Sequence, residues 1–185
     1  MTGLGGRRPL GSTELKRLHR EWRRRTTQRL ALVLDDVSTT FNVGTIVRTA
    51  ACYGVAHLYL TAGTTPPDHP RVGRTSKGTE RYLEWYVHDD GRAAVSAARE
   101  AGYRPVALEL VAGAVPIFDA DLADDIALVV GHEDRGVATA TLASVDSAVF
   151  LPQTGNVGSL NVGVATAIAL AELRRQGWDG RGKSS

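Results

Sequence analysis

Six short apolar runs, set apart by segments of helical spacing, constrain this chain more than any other feature of it. ALVLDD (31–36), HLYLT (57–61), EWYVH (84–88), PVALEL (105–110), IALVVG (126–131) and SAVFLP (147–152) are rich in Val, Leu, Ile and aromatic residues and read as strands. Asn42–Tyr53, Asp90–Ala101, Val137–Ala143 and Asn161–Arg175 carry the helical spacing. Strands this apolar are buried on both sides, so the alternation predicts an α/β fold, a mainly parallel sheet with helices on both faces. In such sheets ligands bind beyond the carboxyl ends of the strands. Chemistry is therefore expected in the loops 36–44, 62–82, 111–117, 131–136 and 152–160.

The chain has 185 residues, enough for one domain with a sizeable core. No apolar run reaches the roughly 20 residues of a bilayer span, which excludes a helical membrane protein. Met1 is followed by a Gly- and Arg-rich stretch without an apolar core or cleavage site, so a cytoplasmic protein is expected. The single cysteine, Cys52, has no partner for an intramolecular disulfide, and its setting in TAACYGV predicts a small buried core residue.

The net charge of +2 conceals an uneven distribution. Residues 1–29 hold nine Lys or Arg against Glu14 and Glu21, and the remaining 156 residues hold 13 basic and 18 acidic ones. A basic head on an acidic body suits attraction of a polyanion, with Arg17, Arg20, Arg23, Arg24 and Arg25 as candidate contacts; a merely solvated helix face is the plainer alternative. STELKRLHREW predicts a short helix with Ser12 or Thr13 as N-cap and an apolar stripe of Leu15, Leu18 and Trp22. The organisation expected is a basic extension over 1–29, one domain over 30–176 and a tail over 177–185.

Zinc sites, serine hydrolase elbows and Walker phosphate loops all lack their residues, and His132, Glu133 and Asp134 are adjacent in a way that suits a loop better than a metal. No metal is expected. DVSTTFNVG, GHEDRG and PQTGNVGSLNVG each join glycine, which lets backbone approach a ligand, to a polar residue at the edge of an apolar helix. Arg48 is the only charge in NVGTIVRTAACYGV, and a cation so placed pairs with an acid or reaches an anion. Trp22, Trp85 and Trp178 read as cover for apolar surface, with Trp178 at a candidate subunit contact.

NVGTIVRTA, VGHEDRGV and LPQTGNVGSLNVGVATAIAL, in this order and spacing, resemble the three motifs of the SpoU/TrmH family of the SPOUT class of RNA 2′-O-methyltransferases. The resemblance covers roughly residues 30–175. It implies a C-terminal deep trefoil knot, a feature that runs against the general rule for chain connections and that periodicity does not suggest. It implies S-adenosyl-L-methionine as cofactor, with Leu108, Gly131, Leu151 and Leu160 lining its pocket and Gly155 and Gly158 keeping side chains out of the way. It places Arg48, Asn42, Glu133, Ser159 and Asn161 at the catalytic positions. It also implies a homodimer, for which the apolar helix Val162–Leu173 offers a face.

The reaction implied is attack of a ribose 2′-OH on the sulfonium methyl group, without a metal. The family reading makes Arg48 the base or its close equivalent, with Asn42 and Glu133 orienting it, although a guanidinium rarely gives up its proton. An anchor for the adjacent phosphate is the second role for Arg48. The short basic helix favours transfer RNA, with the D-loop guanosine as target; ribosomal RNA is the alternative. A noncatalytic RNA-binding protein that kept the knot and a small-molecule methyltransferase are the competing classes. Two positions depart from the family's common pattern, which has Met where Gln153 stands and Ser where Gly163 stands.

Overall fold

The computed structural model describes residues 8–179, and within them every predicted run forms a strand. These are β1 (Leu30–Asp35), β2 (His57–Thr61), β3 (Glu84–His88), β4 (Arg104–Leu108), β6 (Ile126–Gly131) and β7 (Ser147–Phe150). A two-residue strand, β5 (Val115–Pro116), joins them; it is too short to carry a period of its own. One sheet results, in the order β3-β2-β1-β6-β4-β7-β5, and all six of its ladders are parallel. β1 and β6 are its buried centre, in register from Leu30 opposite Ile126 to Asp35 opposite Gly131.

Helices cover both faces. On one, α2 (Thr40–Tyr53), α3 (Pro70–Ser76) and α6 (Val162–Asp179) bury Ile46, Val47, Val72, Leu170 and Leu173 against Leu30, Leu32 and Leu34. On the other, α4 (Gly91–Glu100) and α5 (Thr139–Leu142) cover Ala31 and Val33 with Ala94, Val95, Ala98 and Leu142, joined by Val137 from the loop before α5. The core is thus split by the alternation of side chains along β1. No described helix is long and apolar enough to cross a membrane.

Several expectations are corrected. Segment 62–82 is not all loop: Pro70 at the first helical turn starts α3, and a 3-10 turn follows at Thr79–Tyr82. The helix expected over Val137–Ala143 shrinks to one turn, because the N–H groups of Val137 and Ala138 are held by the side chains of Glu109 and Asp35. The head helix, α1 (Ser12–Arg23), starts earlier than either proposed cap allows: Gly11 is the N-cap, and its N–H donates to the Glu14 carboxylate at 2.8 Å. Its stripe of Leu15, Leu18 and Trp22 stays exposed, with Trp22 resting on Trp178 at 4.6 Å between ring centroids. Trp178 therefore packs against the head of its own chain.

The boundaries move as well. Gln28 is buried and donates to the carbonyls of Leu122 and Asp124, both at 2.8 Å, and Arg29 pairs with Asp125 at 2.6 Å, so the end of the 1–29 extension belongs to the body. The tail expected at 177 begins inside α6, which runs on to Asp179; residues 1–7 and 180–185 lie outside the described residues. Cys52 is exposed, since the core-facing positions of α2 are Val43, Ile46, Val47 and Ala50.

Candidate active site

Strands that end side by side deliver loops that meet. Beyond the carboxyl ends of β4, β6 and β7 lies a cavity of about 530 Å³, walled by segments 108–110, 130–136 and 150–165. Such a volume suits a cofactor-sized ligand. Leu108, Leu151 and Leu160 give it apolar walls, and Gly131, Glu133, Gly158 and Ser159 line it too. Gly131 is required by sterics: a Cβ there would collide with the backbone of Gly136 and Val137, where the loop folds back on the end of β6. That fold-back is pinned by hydrogen bonds between His132 and Gly136 backbone at 2.9 and 3.0 Å.

Two carboxylates fix the loop's exit. The Val137 N–H donates to Glu109 at 3.0 Å, and the Ala138 N–H donates to the buried Asp35 at 2.9 Å. Glu109 also lines the cavity, and sequence reasoning misses it because it reads there as part of a strand. The usable signal is its position, an acid directly after an apolar run at the end where ligands bind.

Glu133 carries the cavity's edge over to α2. Its Oε1 accepts from Asn42 Nδ2 at 2.8 Å and from the Thr39 N–H at 3.0 Å, and its Oε2 from the Ser38 N–H at 3.4 Å. Burial alone would raise the pKa of this carboxyl, but the hydrogen bonds from Asn42, its own backbone and Thr39 outweigh it and pull the value down to about 2. A carboxylate held there is a fixed acceptor and a poor proton abstractor at neutral pH. Asn42 Oδ1 accepts in turn from Asn161 Nδ2 at 2.8 Å, and Asn161 caps α6.

The structure thus joins Glu133, Asn42 and Asn161 in one chain and sets Ser159 in the cavity wall. It does not join Arg48 to them: Arg48 lies six residues beyond Asn42 on α2, turned to a different side, and is exposed. The expectation that Asn42 and Glu133 hold Arg48 is therefore corrected, since they hold each other. Gly155 is likewise outside the cavity wall, and a Cβ there would meet nothing within 4 Å. Gln153, the departure from the family pattern, does face the cavity. At the other departure, Gly163, a Cβ would press on Thr45 at 3.1 Å, so Thr45 takes up the room a serine would need. In the head, Arg17, Arg20, Arg23, Arg24 and Arg25 are all exposed; Arg25 pairs with Glu21 at 3.2 Å and stacks over Trp22 at 4.0 Å. No group of metal-ligating side chains occurs among the described residues.

The sequence model of the SpoU rRNA Methylase family matches residues 29–171. The chain belongs to this SpoU family. Among its relatives is the 23S rRNA (guanosine-2′-O-)-methyltransferase RlmB of Acinetobacter baylyi, 32% identical over 151 residues that make up 80% of this chain and 60% of that protein. The tRNA (guanosine(18)-2′-O)-methyltransferase of Thermus thermophilus is 33% identical over 155 residues, 83% of this chain and 78% of that one. The chain thus spans less than two thirds of the first relative's length. Among solved structures, the SpoU methyltransferase AviRb from Streptomyces viridochromogenes in complex with AdoMet aligns with a TM-score of 0.71 at 26% identity, over 82% of this chain and 61% of that chain. The A. aeolicus TrmH/SpoU tRNA modifying enzyme aligns with a TM-score of 0.73 at 27% identity, over 92% and 85%. These SpoU structures share the mainly parallel α/β architecture described above.

Proposed function

We propose that this SpoU protein is an S-adenosyl-L-methionine-dependent RNA 2′-O-ribose methyltransferase acting on transfer RNA, with ribosomal RNA as the second reading. The observation that carries it is the meeting of the three family motifs around one cavity: GHEDRGV and LPQTGNVGSLN form its wall, and Glu133 ties NVGTIVRTA to it. The residues present fit the cofactor. Leu108, Leu151 and Leu160 offer an apolar slot for a purine, the backbone at Gly158 is open to close approach, and the Glu109 and Asp134 carboxylates in the lining suit a cationic ligand. When bound, this group supplies an already activated methyl, so no metal is needed.

The protein's own part is positioning. Glu133 holds Asn42 and the Ser38–Thr39 backbone, Asn161 holds Asn42 from the other side, and Ser159 offers a hydroxyl to the cavity. Arg48 takes the phosphate or the 2′-OH of the target nucleotide as RNA docks on α2, since no partner among the described residues occupies it. The C-terminal segment through α6 forms the trefoil knot of the SPOUT class. The protein works in the cytoplasm as a homodimer, paired through the exposed Val164 and Ile168 of α6 with the nearby Leu160 and Val157.

The relatives include enzymes named for either RNA. The transfer RNA reading is tested by incubating the protein with labelled S-adenosylmethionine and either transfer RNA or ribosomal RNA transcripts, then mapping 2′-O-methylation. Label at a D-loop guanosine of transfer RNA is the expected result. Label in ribosomal RNA alone would move the substrate to the second reading, and label in neither with cofactor bound would favour a noncatalytic RNA-binding role. Light scattering at micromolar concentration checks the dimer, and a crystallographic trace checks the knot.

A further inference from the structure

The unpaired cations of the body gather on one side. Among the described residues after β3, Arg92, Arg99, Arg104, Arg135 and Arg175 each lie within 3.8 Å of a carboxylate, and Arg174 is bound to three carbonyls. The side chains of Arg48, Arg71, Arg74 and Lys77 make no hydrogen bond or ion pair among the described residues. All four lie in or between α2 and the turn after α3. Their segments pack together: a Cβ on Gly44 of α2 would press on Thr75 and on the Val72 carbonyl of α3, and Arg48 stands one turn further along the same face of α2.

The row on α3 is built with some strain. Arg71, Arg74 and Lys77 recur every third residue and are all exposed. Lys77 ends the helix at φ 58°, a left-handed conformation that usually falls to glycine or asparagine. The next cation, Arg81, lies 4.8 Å over the ring of Tyr82, which is 66% exposed. Of the two acids in the segment, Asp68 precedes α3 and Glu80 is engaged by Ser76 Oγ at 2.6 Å, which lowers its pKa.

We propose that Arg71, Arg74 and Lys77, with the Arg81–Tyr82 pair, form a second RNA-docking surface that grips the phosphates flanking the target nucleotide beside Arg48. The inference rests on the RNA reading above and adds a surface separate from the basic head. Unpaired guanidinium forks suit phosphate oxygens, and an exposed tyrosine backed by a guanidinium suits stacking of an unpaired base. A row of cations without interleaved free acid fits a polyanion rather than a mixed-charge protein surface.

The test compares the full-length parent with an Arg71→Gln/Arg74→Gln/Lys77→Gln variant, by fluorescence anisotropy on a transfer RNA transcript between about 50 and 200 mM salt. The expected result is a fall of about 3 in the log–log salt slope, roughly 0.9 for each phosphate that is no longer neutralised, with affinity down about tenfold or more. Cofactor affinity by calorimetry and the melting temperature stay at the parental values. Tyr82→Ala lowers affinity and leaves the slope unchanged. An unchanged slope and affinity in the triple variant, while the parent binds and methylates RNA, overturns this surface and leaves the RNA reading standing. An equal loss in an Arg92→Gln/Arg99→Gln control overturns it too, by reducing the effect to net charge. A parent that binds no RNA overturns both readings.

Discussion

Asn161 donates through Nδ2 to Oδ1 of Asn42 at 2.8 Å, and its own Oδ1 accepts the backbone N–H groups of Gly163 at 3.0 Å and Val164 at 3.2 Å. One side chain therefore caps α6 and orients the residue that holds Glu133. The two duties separate by substitution. Asn161→Asp keeps the capping acceptor and loses the donor, so its melting temperature stays near the parental one while methyl transfer falls. Asn161→Ala loses both and costs about 1 kcal/mol in stability as well. Parental turnover in the Asp variant would detach the Asn42 contact from catalysis.

Glu133 makes stability depend on acid. Its folded pKa, about 2, lies below the ordinary 4.5, so the unfolded chain takes up the proton first as pH falls. The stabilisation is complete above about 4.5 and is lost on acidification toward 2. Glu133→Gln has no such proton to bind, and at neutral pH it costs about 1–3 kcal/mol because backbone donors at Ser38 and Thr39 lose their carboxylate. The gap between parent and variant in urea midpoint should close across this acid window. Curves that stay parallel down to pH 2 would mean that Glu133 titrates as it does in the unfolded chain.

β2 and β6 are legible in the sequence to their ends because buried parallel strands leave unbroken apolar runs, whereas β3, an edge strand without a buried residue, is legible from its aromatic and β-branched residues. Asn161 is legible as a helix start because its side chain is the cap. α3 is not, since Pro70, Gly73, Thr75 and Ser76 carry the composition of a turn and its stability comes from packing on α2. The partners of Asn42 and the isolation of Arg48 are not legible either. Glu133 and Asn161 stand 91 and 119 residues from Asn42, and only the sheet order brings them to it.

Two glycines of the motifs should respond in opposite ways. Gly131→Ala forces a methyl into the backbone of Gly136 and Val137, and overpacking of this kind costs about 1–3 kcal/mol. The loop has to open, and S-adenosylmethionine affinity should drop with it. Gly155→Val points into open space, so stability should stay within about 0.5 kcal/mol of the parent, with cofactor affinity unchanged. Calorimetry on the two variants decides; a large loss at Gly155 would bring that residue back to the cofactor.

Arg48→Lys keeps the charge and gives up the planar fork. Because the Arg48 side chain makes no hydrogen bond or ion pair among the described residues, the variant should fold as the parent does and retain most RNA affinity. Methyl transfer should be lost. Near-parental transfer would reduce Arg48 to an electrostatic anchor.

Arg174 is 6% exposed and donates to the carbonyls of Tyr53 at 2.7 Å, Gly54 at 2.7 Å and Gln28 at 2.8 Å. Two of these belong to the end of α2, where the helix dipole favours a cation. Arg174→Met keeps the bulk and strands the carbonyls, with an expected loss of about 2–4 kcal/mol in urea unfolding. Arg174→Lys should fall between. A Met variant as stable as the parent would show that water serves these carbonyls equally well.

The same contact, taken with that between Asn42 and Asn161, rivets α2 and α6 together at two points, separated along α6 by thirteen residues or about 20 Å. Two parallel bars fastened at both ends make a closed frame: neither can slip by a turn or swivel about its axis unless both rivets give way. Compliance on binding RNA then has to come from what the frame carries rather than from the frame. The parts free to give are the exposed span 152–160 and the tip of the 132–136 loop, which form the rim of the cavity.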